Sequence, residues 1–244
     1  MEDKGTYPNI RHQARFWNNW NTTAREGRRL DQPTERRSSF VLELCRSFST
    51  GGPIIDIGCG TGWLCDRLSQ VAPEVYGTDL AADVIARARD RHPHIRFSGG
   101  DFMALEFPLS HFEIAVCMET IAHVEDQGAF LEKITRILRP GGRLILTTQN
   151  PFVWLRSSIL GPPGDGQIRK WPSKRKLVRL VADHLEIETI TTLAPGGDKG
   201  ILKIINGRWV NGSSRRLIGR ENLDRLKEKV GIGQSIALIA RCAT

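Results

Sequence analysis

Three glycines at alternate positions follow a short apolar run, and their spacing is suited to ligand binding. They are Gly58, Gly60 and Gly62. The pattern predicts a buried strand that turns at once into a helix. Glycine allows the tight turn and lets a ligand approach the main chain, while the amides at the helix start face that ligand. The spacing is GxGxG, whereas the dinucleotide fingerprint GxGxxG places its third glycine one position later.

Two acidic residues follow the next two predicted strands. Asp79 ends the second strand, 21 positions after Gly58, where a carboxylate can accept both hydroxyls of a ribose. Asp101 follows the third strand, where it can accept a hydrogen bond from the exocyclic amine of adenine, and Phe102 can pack on the purine. A single aspartate at a strand end is more often a turn or cap residue. Three successive strand ends with suitable residues predict a nucleoside site.

The hydrophobic pattern predicts an α/β fold with a mostly parallel sheet covered by helices on both faces. The predicted strands are residues 53–57, 75–78, 95–98, 112–118, 143–148, 185–192 and 235–240. The predicted helices are residues 34–48, 63–71, 82–91, 128–138 and 173–184, the fourth ended by Pro140-Gly141-Gly142.

Two segments fit no sheet element. They are the loop 149–172 and the stretch 194–233, which contains a possible basic helix at 214–230. The expected organisation is an N-terminal helical lid over residues 1–50 and one domain over residues 51–244, with 194–233 as a variable insertion.

Charge and cysteine content limit the possible classes. The net charge is +8, and the excess of basic residues is concentrated in residues 151–244, where it reaches +9. That placement favours an anionic substrate, an acidic membrane surface or nucleic acid, or it is a solvated basic face without a partner. The five cysteines form no CxxC pair, so we expect reduced thiols. Without a signal peptide or apolar span, the chain is expected to be cytoplasmic.

The motifs together resemble those of class I S-adenosylmethionine-dependent methyltransferases. The resemblance is close over residues 34–150 and includes the run from Ala115 to Val124 and Leu138-Arg139-Pro140-Gly141-Gly142. It implies a Rossmann-like seven-stranded sheet whose last strand is antiparallel and lies beside the sixth. It also implies that the glycine loop holds the methionine part of the cofactor, Asp79 the ribose and Asp101 the adenine. The implied cofactor-binding residues are Arg37, Asp56, Gly58, Cys59, Gly60, Gly62, Asp79, Leu80, Asp101, Phe102, Cys117 and Met118.

Within that class, the run Cys117-Met118-Glu119 through His123-Val124 is similar to the quinone-biosynthesis O-methyltransferases. Those enzymes often carry CMExxEHV, and Ala122 stands here in place of the second glutamate. No metal site is therefore assigned. The same resemblance implies an arginine, before the first strand, that binds the cofactor carboxylate. Arg37 is the best match and Arg36 is its neighbour; a solvated helix face is the alternative.

Methyl transfer requires an aligned acceptor and exclusion of water, and a hydroxyl acceptor also loses a proton. His123 follows the fourth strand at the edge where ligands bind in such folds. It is the candidate general base, with packing behind the cofactor as the alternative, and His12 is a second candidate.

Aromatic residues outside the sheet suggest an acceptor pocket. Trp17, Trp20, Phe152 and Trp154 are the candidate acceptor-binding residues, and Trp171 and Trp209 are candidates for a lid. Ordinary packing is the alternative for each.

The expected function is methylation of a small molecule, at a hydroxyl or phenol oxygen, in secondary-metabolite or quinone-type biosynthesis. The alternatives are N- or C-methylation of a small molecule and an RNA-directed methyltransferase. A nicotinamide-dependent oxidoreductase and a non-catalytic binding protein are two further readings, which the glycine spacing and the intact motifs argue against. The basic residues of the insertion could contact lipid head groups or an anionic substrate; they are Arg215, Arg216, Arg220, Arg225, Lys227 and Lys229.

Overall fold

The computed structural model describes residues 9–21, 30–207, 211–212 and 219–243. In this part of the chain, seven strands form a single sheet in the order β3-β2-β1-β4-β5-β7-β6. The strands are β1 Ile54–Ile57, β2 Val75–Asp79, β3 Arg96–Gly99, β4 Phe112–Met118, β5 Leu138–Gln149, β6 Glu186–Pro195 and β7 Gly233–Arg241.

The first five strands pair in parallel, and β7 lies antiparallel between β5 and β6. This arrangement confirms the fold class and the position expected for the last strand. Every residue of β1 and all but the last residue of β4 are buried, since helices cover both faces of the sheet centre. The chain reverses its strand order at β1 and β4, and ligands bind at such switch points in open α/β sheets.

The helices cover the two faces of this sheet. They are α1 Ile10–Trp20, α2 Gln32–Phe48, α3 Trp63–Leu68, α4 Ala82–Arg91, α5 Gln127–Ile137, α6 Pro151–Trp154, α7 Lys174–Ala182, α8 Ile201–Ile205 and α9 Arg220–Lys229. Helices α2, α3 and α4 contribute to the core on one face, and α5 and α7 to the core on the other. Among the described helices, none has the length and hydropathy to cross a bilayer. All five cysteines are free, as expected.

Several boundaries differ from the predicted ones. Helix α3 ends at Leu68, and α1, α6 and α8 were not predicted. The predicted helix 214–230 is observed as the shorter α9, and residues 213–218 lie outside the described part, as do Trp209, Arg215 and Arg216.

The start of β5 corrects the prediction for Pro140-Gly141-Gly142. Helix α5 ends at Ile137, and Leu138 already pairs with Phe112, so the proline and glycines lie inside the strand. The pairing is irregular between Phe112 and Ile114. A Cβ on Gly142 would come within 3.0 Å of the Phe112 carbonyl oxygen. The glycine therefore permits the two strands to approach closely after the irregular start of β5. Composition alone suggests that Pro140-Gly141-Gly142 is a turn.

Glu113, on β4, joins that strand to the segment that precedes β1. Its buried carboxylate accepts hydrogen bonds from the backbone amides of Thr50 and Gly52 and lies 2.6 Å from Arg139 Nη2. Burial alone would raise the pKa of Glu113, but the hydrogen bonds from Thr50 and Gly52 and the charge of Arg139 outweigh it and lower the pKa. The ionised carboxylate therefore stabilises the fold.

We predict that Glu113→Gln lowers the free energy of unfolding by ~2 kcal/mol at pH 7, because the neutral amide weakens the charge-assisted hydrogen bonds that the buried carboxylate accepts from Thr50, Gly52 and Arg139. The folded-state pKa is depressed, so the stabilisation is present above the ordinary value of 4.5 and is lost as the pH falls through the lowered value. Urea unfolding of both proteins at several pH values measures this difference.

Glu74→Gln is the matched control, because Glu74 forms an exposed ion pair with Arg96 at 3.0 Å. That change should cost less than ~1 kcal/mol. Equal losses in the two variants would contradict the proposed role of Glu113.

Candidate functional site

A cavity of about 1020 Å³ lies at the carboxyl ends of β1, β2 and β4. Helix α1 lies along it and contributes Gln13 and Trp17 to its lining, and residues of the 159–171 loop also line it. A drug-sized ligand occupies a pocket of roughly 300–1,000 Å³. The cavity is therefore large enough to hold one such ligand and to leave space beside it.

The glycine loop forms one wall of this cavity. Gly58 has φ +84°, and a Cβ there would overlap the side chain of Thr120, whose hydroxyl donates to the Ile57 carbonyl at 3.0 Å. Gly58, Cys59 and Gly60 line the cavity. Their backbone is thus held against the cavity by packing between β1 and the end of β4.

Gly62 and Cys117 were predicted to contact the cofactor, but neither lines the cavity. A Cβ on Gly62 would lie 2.7 Å from the Phe97 ring, so this glycine permits close packing of helix α3 against the sheet. Cys117 is fully buried inside β4, and the next residue, Met118, reaches the cavity instead.

Asp79 joins the end of β2 to the glycine loop. Its Oδ2 accepts a hydrogen bond from the Gly60 amide and its Oδ1 accepts one from the Ala81 amide, both at 2.8 Å. Burial raises the pKa of Asp79, although these two hydrogen bonds oppose the shift. Each carboxylate oxygen keeps acceptor capacity for a ligand hydroxyl.

Asp56 is a second buried carboxylate on the cavity lining. Its pKa is raised to about 7, mainly by burial and also by the charge of Asp79, while a hydrogen bond from Cys65 opposes the shift. A cation in the cavity would favour the ionised form of both acids. The pair therefore suits a ligand that carries hydroxyl donors and positive charge.

Asp101 and Phe102 lie on the cavity lining, as does Leu80. Asp101 Oδ1 accepts a hydrogen bond from the Met103 amide at 3.0 Å, which leaves its other oxygen for a ligand. The Phe102 ring packs mainly in the core, 5.2 Å from the ring of Phe130. Its predicted contact with a purine involves the small part that remains exposed.

The structure distinguishes the two neighbouring arginines of α2. Arg36 points away from the cavity and forms two hydrogen bonds with Glu228, at 2.7 and 3.0 Å. Arg37 is buried and lines the cavity; it donates to the hydroxyls of Thr34 and Ser235, and its Nε has no hydrogen-bond partner. A ligand carboxylate would supply that missing partner.

Glu119, which sequence reasoning left without a role, also lines the cavity. It has φ +62°, an uncommon backbone conformation for a non-glycine residue. Its Oε1 accepts a hydrogen bond from the Thr147 hydroxyl at 3.0 Å and lies 3.9 Å from Arg37 Nε. The unusual turn brings this carboxylate beside the buried arginine, and residue spacing gives no sign of it.

His123 lies on the cavity lining, with its ring 4.6 Å from the ring of Trp17. Its Nδ1 is 2.6 Å from the carbonyl oxygen of Ile168. A carbonyl cannot donate, so Nδ1 carries the proton and Nε2 of the neutral ring keeps a lone pair. The pKa of His123 is lowered to about 4, mainly by burial and also by the nearby charge of Arg169, while the Ile168 hydrogen bond opposes the shift.

The remaining lining is rich in aromatic rings. Trp17, Trp20 and Trp154 lie on the cavity as predicted, and Trp171 joins them at 5.9 Å from Trp154. Phe152 does not line the cavity: its exposed ring is covered by the Arg156 guanidinium at 4.4 Å. The first turn of α6 directs Phe152 outward and Trp154 inward, a difference that the unpredicted helix explains.

Two other predicted residues lie away from the cavity. His12 pairs with Asp165 at 2.9 Å on the outer side of α1. Lys227 of the basic insertion is buried and donates to the side chains of Asn206 and Asn211, so it is not part of a basic surface. Within the described residues, no group of three or more His, Cys, Asp or Glu side chains is placed to hold a metal ion.

Comparison with protein families gives a match to the methyltransferase domain over residues 55–146. The ubiquinone biosynthesis O-methyltransferase of Rhodopseudomonas palustris is 32% identical over 166 residues, which cover 62% of this chain and 64% of that protein. The chain spans less than two thirds of the length of the curated relatives that it matches.

Two solved structures share the fold over nearly the whole chain. The N-methyltransferase NodS from Bradyrhizobium japonicum, solved with S-adenosyl-L-homocysteine, has a TM-score of 0.66 at 15% identity, with 96% of this chain and 100% of that chain covered. The [4+2]-cyclase SpnF has a TM-score of 0.67 at 18% identity, with 98% of each chain covered. Residues 55–146 of this chain therefore match the methyltransferase domain, and the chain shares the fold of solved methyltransferases.

Proposed function

We propose that this protein transfers the methyl group of S-adenosylmethionine to a hydroxyl or phenol oxygen of a small molecule, in secondary-metabolite or quinone-type biosynthesis. The observation that carries the proposal is the single cavity that runs from the glycine loop and Asp79 to His123 and the tryptophans. When bound, S-adenosylmethionine supplies a methyl group that its sulfonium charge has already activated. A shared fold does not fix the reaction, since one structural neighbour is described as a cyclase.

The proposed cofactor contacts use the polar groups with spare hydrogen-bonding capacity. Asp79 accepts the ribose hydroxyls, Asp101 accepts from the adenine amine, and Arg37 Nε donates to the carboxylate. The buried acids Asp56 and Asp79 favour a ligand with positive charge, because a cation opposes the burial that raises their pKa values. This set of donors and acceptors matches the cofactor in charge and in chemistry.

The proposed catalytic residue is His123. Its Nε2 lone pair accepts a hydrogen bond from the acceptor hydroxyl and takes the proton as the new carbon–oxygen bond forms. An imidazole with a pKa of about 4 is a weak base toward a free phenol, whose ordinary pKa is ~10. It is a sufficient base once the oxygen has donated electron density to the methyl group, so the proton leaves late in the reaction.

An oxygen acceptor is supported by the resemblance to the ubiquinone biosynthesis O-methyltransferases and by the proton acceptor at His123. The walls formed by Trp17, Trp20 and Trp154 suit a flat acceptor. Methylation at nitrogen or carbon is the alternative, and acceptor screening with labelled S-adenosylmethionine distinguishes them.

We predict that Asp79→Ala weakens binding of S-adenosylmethionine and S-adenosylhomocysteine by at least ~10-fold, or ~1.4 kcal/mol. The change removes the hydroxyl acceptors and also releases the Gly60 amide that Asp79 holds. Isothermal titration calorimetry of the purified proteins measures both ligands.

Asp90→Asn is the matched control, since Asp90 is exposed at the end of α4 and does not line the cavity. Its affinities should equal those of the wild type. Absence of binding in the wild type would refute the proposed function, and unchanged affinity in Asp79→Ala would refute the assigned site.

For His123 we predict a neutral ring with the proton on Nδ1 from pH 8 down to about pH 5. Two-bond ¹H–¹⁵N correlation spectra of labelled protein report the tautomer, and His123→Gln identifies the resonance. The folded-state pKa of about 4 lies below the ordinary 6.5, so this group's contribution to stability is full above pH 6.5 and is lost as the pH falls toward 4. Titration near pH 6.5, or a proton on Nε2, would contradict the assignment.

A further inference from the structure

Residues 167–171 lie between turn 165–166 and helix α7 and are fastened by hydrogen bonds to the chain around His123. The Ile168 carbonyl accepts from His123 Nδ1 at 2.6 Å, and the Lys170 amide donates to the Ala122 carbonyl at 2.8 Å. The Lys170 carbonyl accepts from Gln127 Nε2 at 2.9 Å. The residues at alternate positions, Gln167, Arg169 and Trp171, all line the cavity.

Arg169 brings a positive charge to this part of the cavity without a carboxylate partner among the described residues. Its guanidinium donates only to neutral oxygens: the carbonyls of Gly161 and Pro162 and the side-chain oxygen of Gln167, at 2.7, 3.2 and 3.4 Å. No described acid lies within ion-pair distance, and its Nε is buried without a partner. Burial lowers its pKa, but a guanidinium remains charged at neutral pH.

Trp171 adds a second unused donor beside this charge. The Arg169 guanidinium lies over the Trp171 ring, 5.1 Å from its centre. The Trp171 Nε1 is buried and has no hydrogen-bond partner, whereas Trp154 Nε1 donates to the Gln234 carbonyl at 3.0 Å. The two tryptophans lie side by side, and only Trp171 has an unsatisfied donor.

We propose that Arg169 and Trp171 form an anion subsite that selects acceptors with a carboxylate. Arg169 Nε and Trp171 Nε1 are the two donors, and the guanidinium supplies the charge. The subsite lies beside His123, whose neutral ring does not compete for the anion. This inference rests on the proposed function, because it defines the acceptor half of the same cavity.

A pair of probes that differ only in charge tests the subsite. The probes are 4-hydroxybenzoate, which is an anion at pH 7.5, and 4-hydroxybenzamide, its neutral analogue. Each is titrated calorimetrically into the protein with and without saturating S-adenosylhomocysteine. We expect the benzoate to bind at least ~10-fold more tightly, a difference of ~1.4 kcal/mol.

Variants then assign the preference to the two residues. Arg169→Gln should bring the affinity ratio of the probes close to one, and Arg169→Lys should keep part of it. Trp171→Phe removes the indole donor, keeps an aromatic ring, and should lower the ratio several-fold. Binding of S-adenosylhomocysteine should be unchanged in all three, which separates loss of the subsite from loss of the cofactor site or of the fold.

One control matches these changes. Arg156→Gln removes an equal charge that lies over Phe152 outside the cavity. It should keep the wild-type ratio. Equal affinity for the two probes, no binding of either, or a preference that survives Arg169→Gln would overturn the subsite. Failure of S-adenosylhomocysteine alone to bind would overturn the proposed function instead.

Discussion

The two hydrogen bonds of the Asp79 carboxylate hold together the part of the molecule on which every other feature of the site depends. They connect the end of β2 to the amide of Gly60 and to the start of the next helix. Burial of a carboxylate in this position is energetically unfavourable. The two amides offset this because each donates an N–H to a charged oxygen. The same contact fixes the glycine loop against the end of β2, so that the backbone, rather than a mobile side chain, defines the wall of the cavity.

Local features could be predicted because their causes lie within a few residues. The bounds of β4 and α4 and the place of Asp79 follow from hydrophobic period and strand-end chemistry. The strand order follows from the family resemblance. The early start of β5 could not be predicted, since Pro140-Gly141-Gly142 is typical of a turn and only the pairing of Leu138 with Phe112 makes it a strand.

The site itself was predictable where a ligand meets the sheet and much less so where loops form it. The resemblance favours Arg37 over its neighbour Arg36, but it gives no sign of the distant Glu228 that Arg36 binds away from the cavity. Phe152 and Trp154 face opposite sides because they are about half a turn apart on a short helix that composition does not reveal. Gly62 fits the motif and yet serves packing, because its neighbour Phe97 comes from another strand.

The segment 167–171 lets the acceptor preference of the protein change during evolution through side-chain substitution. Hydrogen bonds fix its backbone at residues 168 and 170. Residues 169 and 171 alternate with these two and both line the cavity. Substitutions at 169 and 171 can therefore exchange one recognition chemistry for another while the histidine tautomer is retained. A one-residue insertion or deletion would turn these side chains away from the cavity and would also break the carbonyl contact to His123. We therefore expect this segment to diverge by substitution at constant length, which makes positions 169 and 171 suitable targets for redesign.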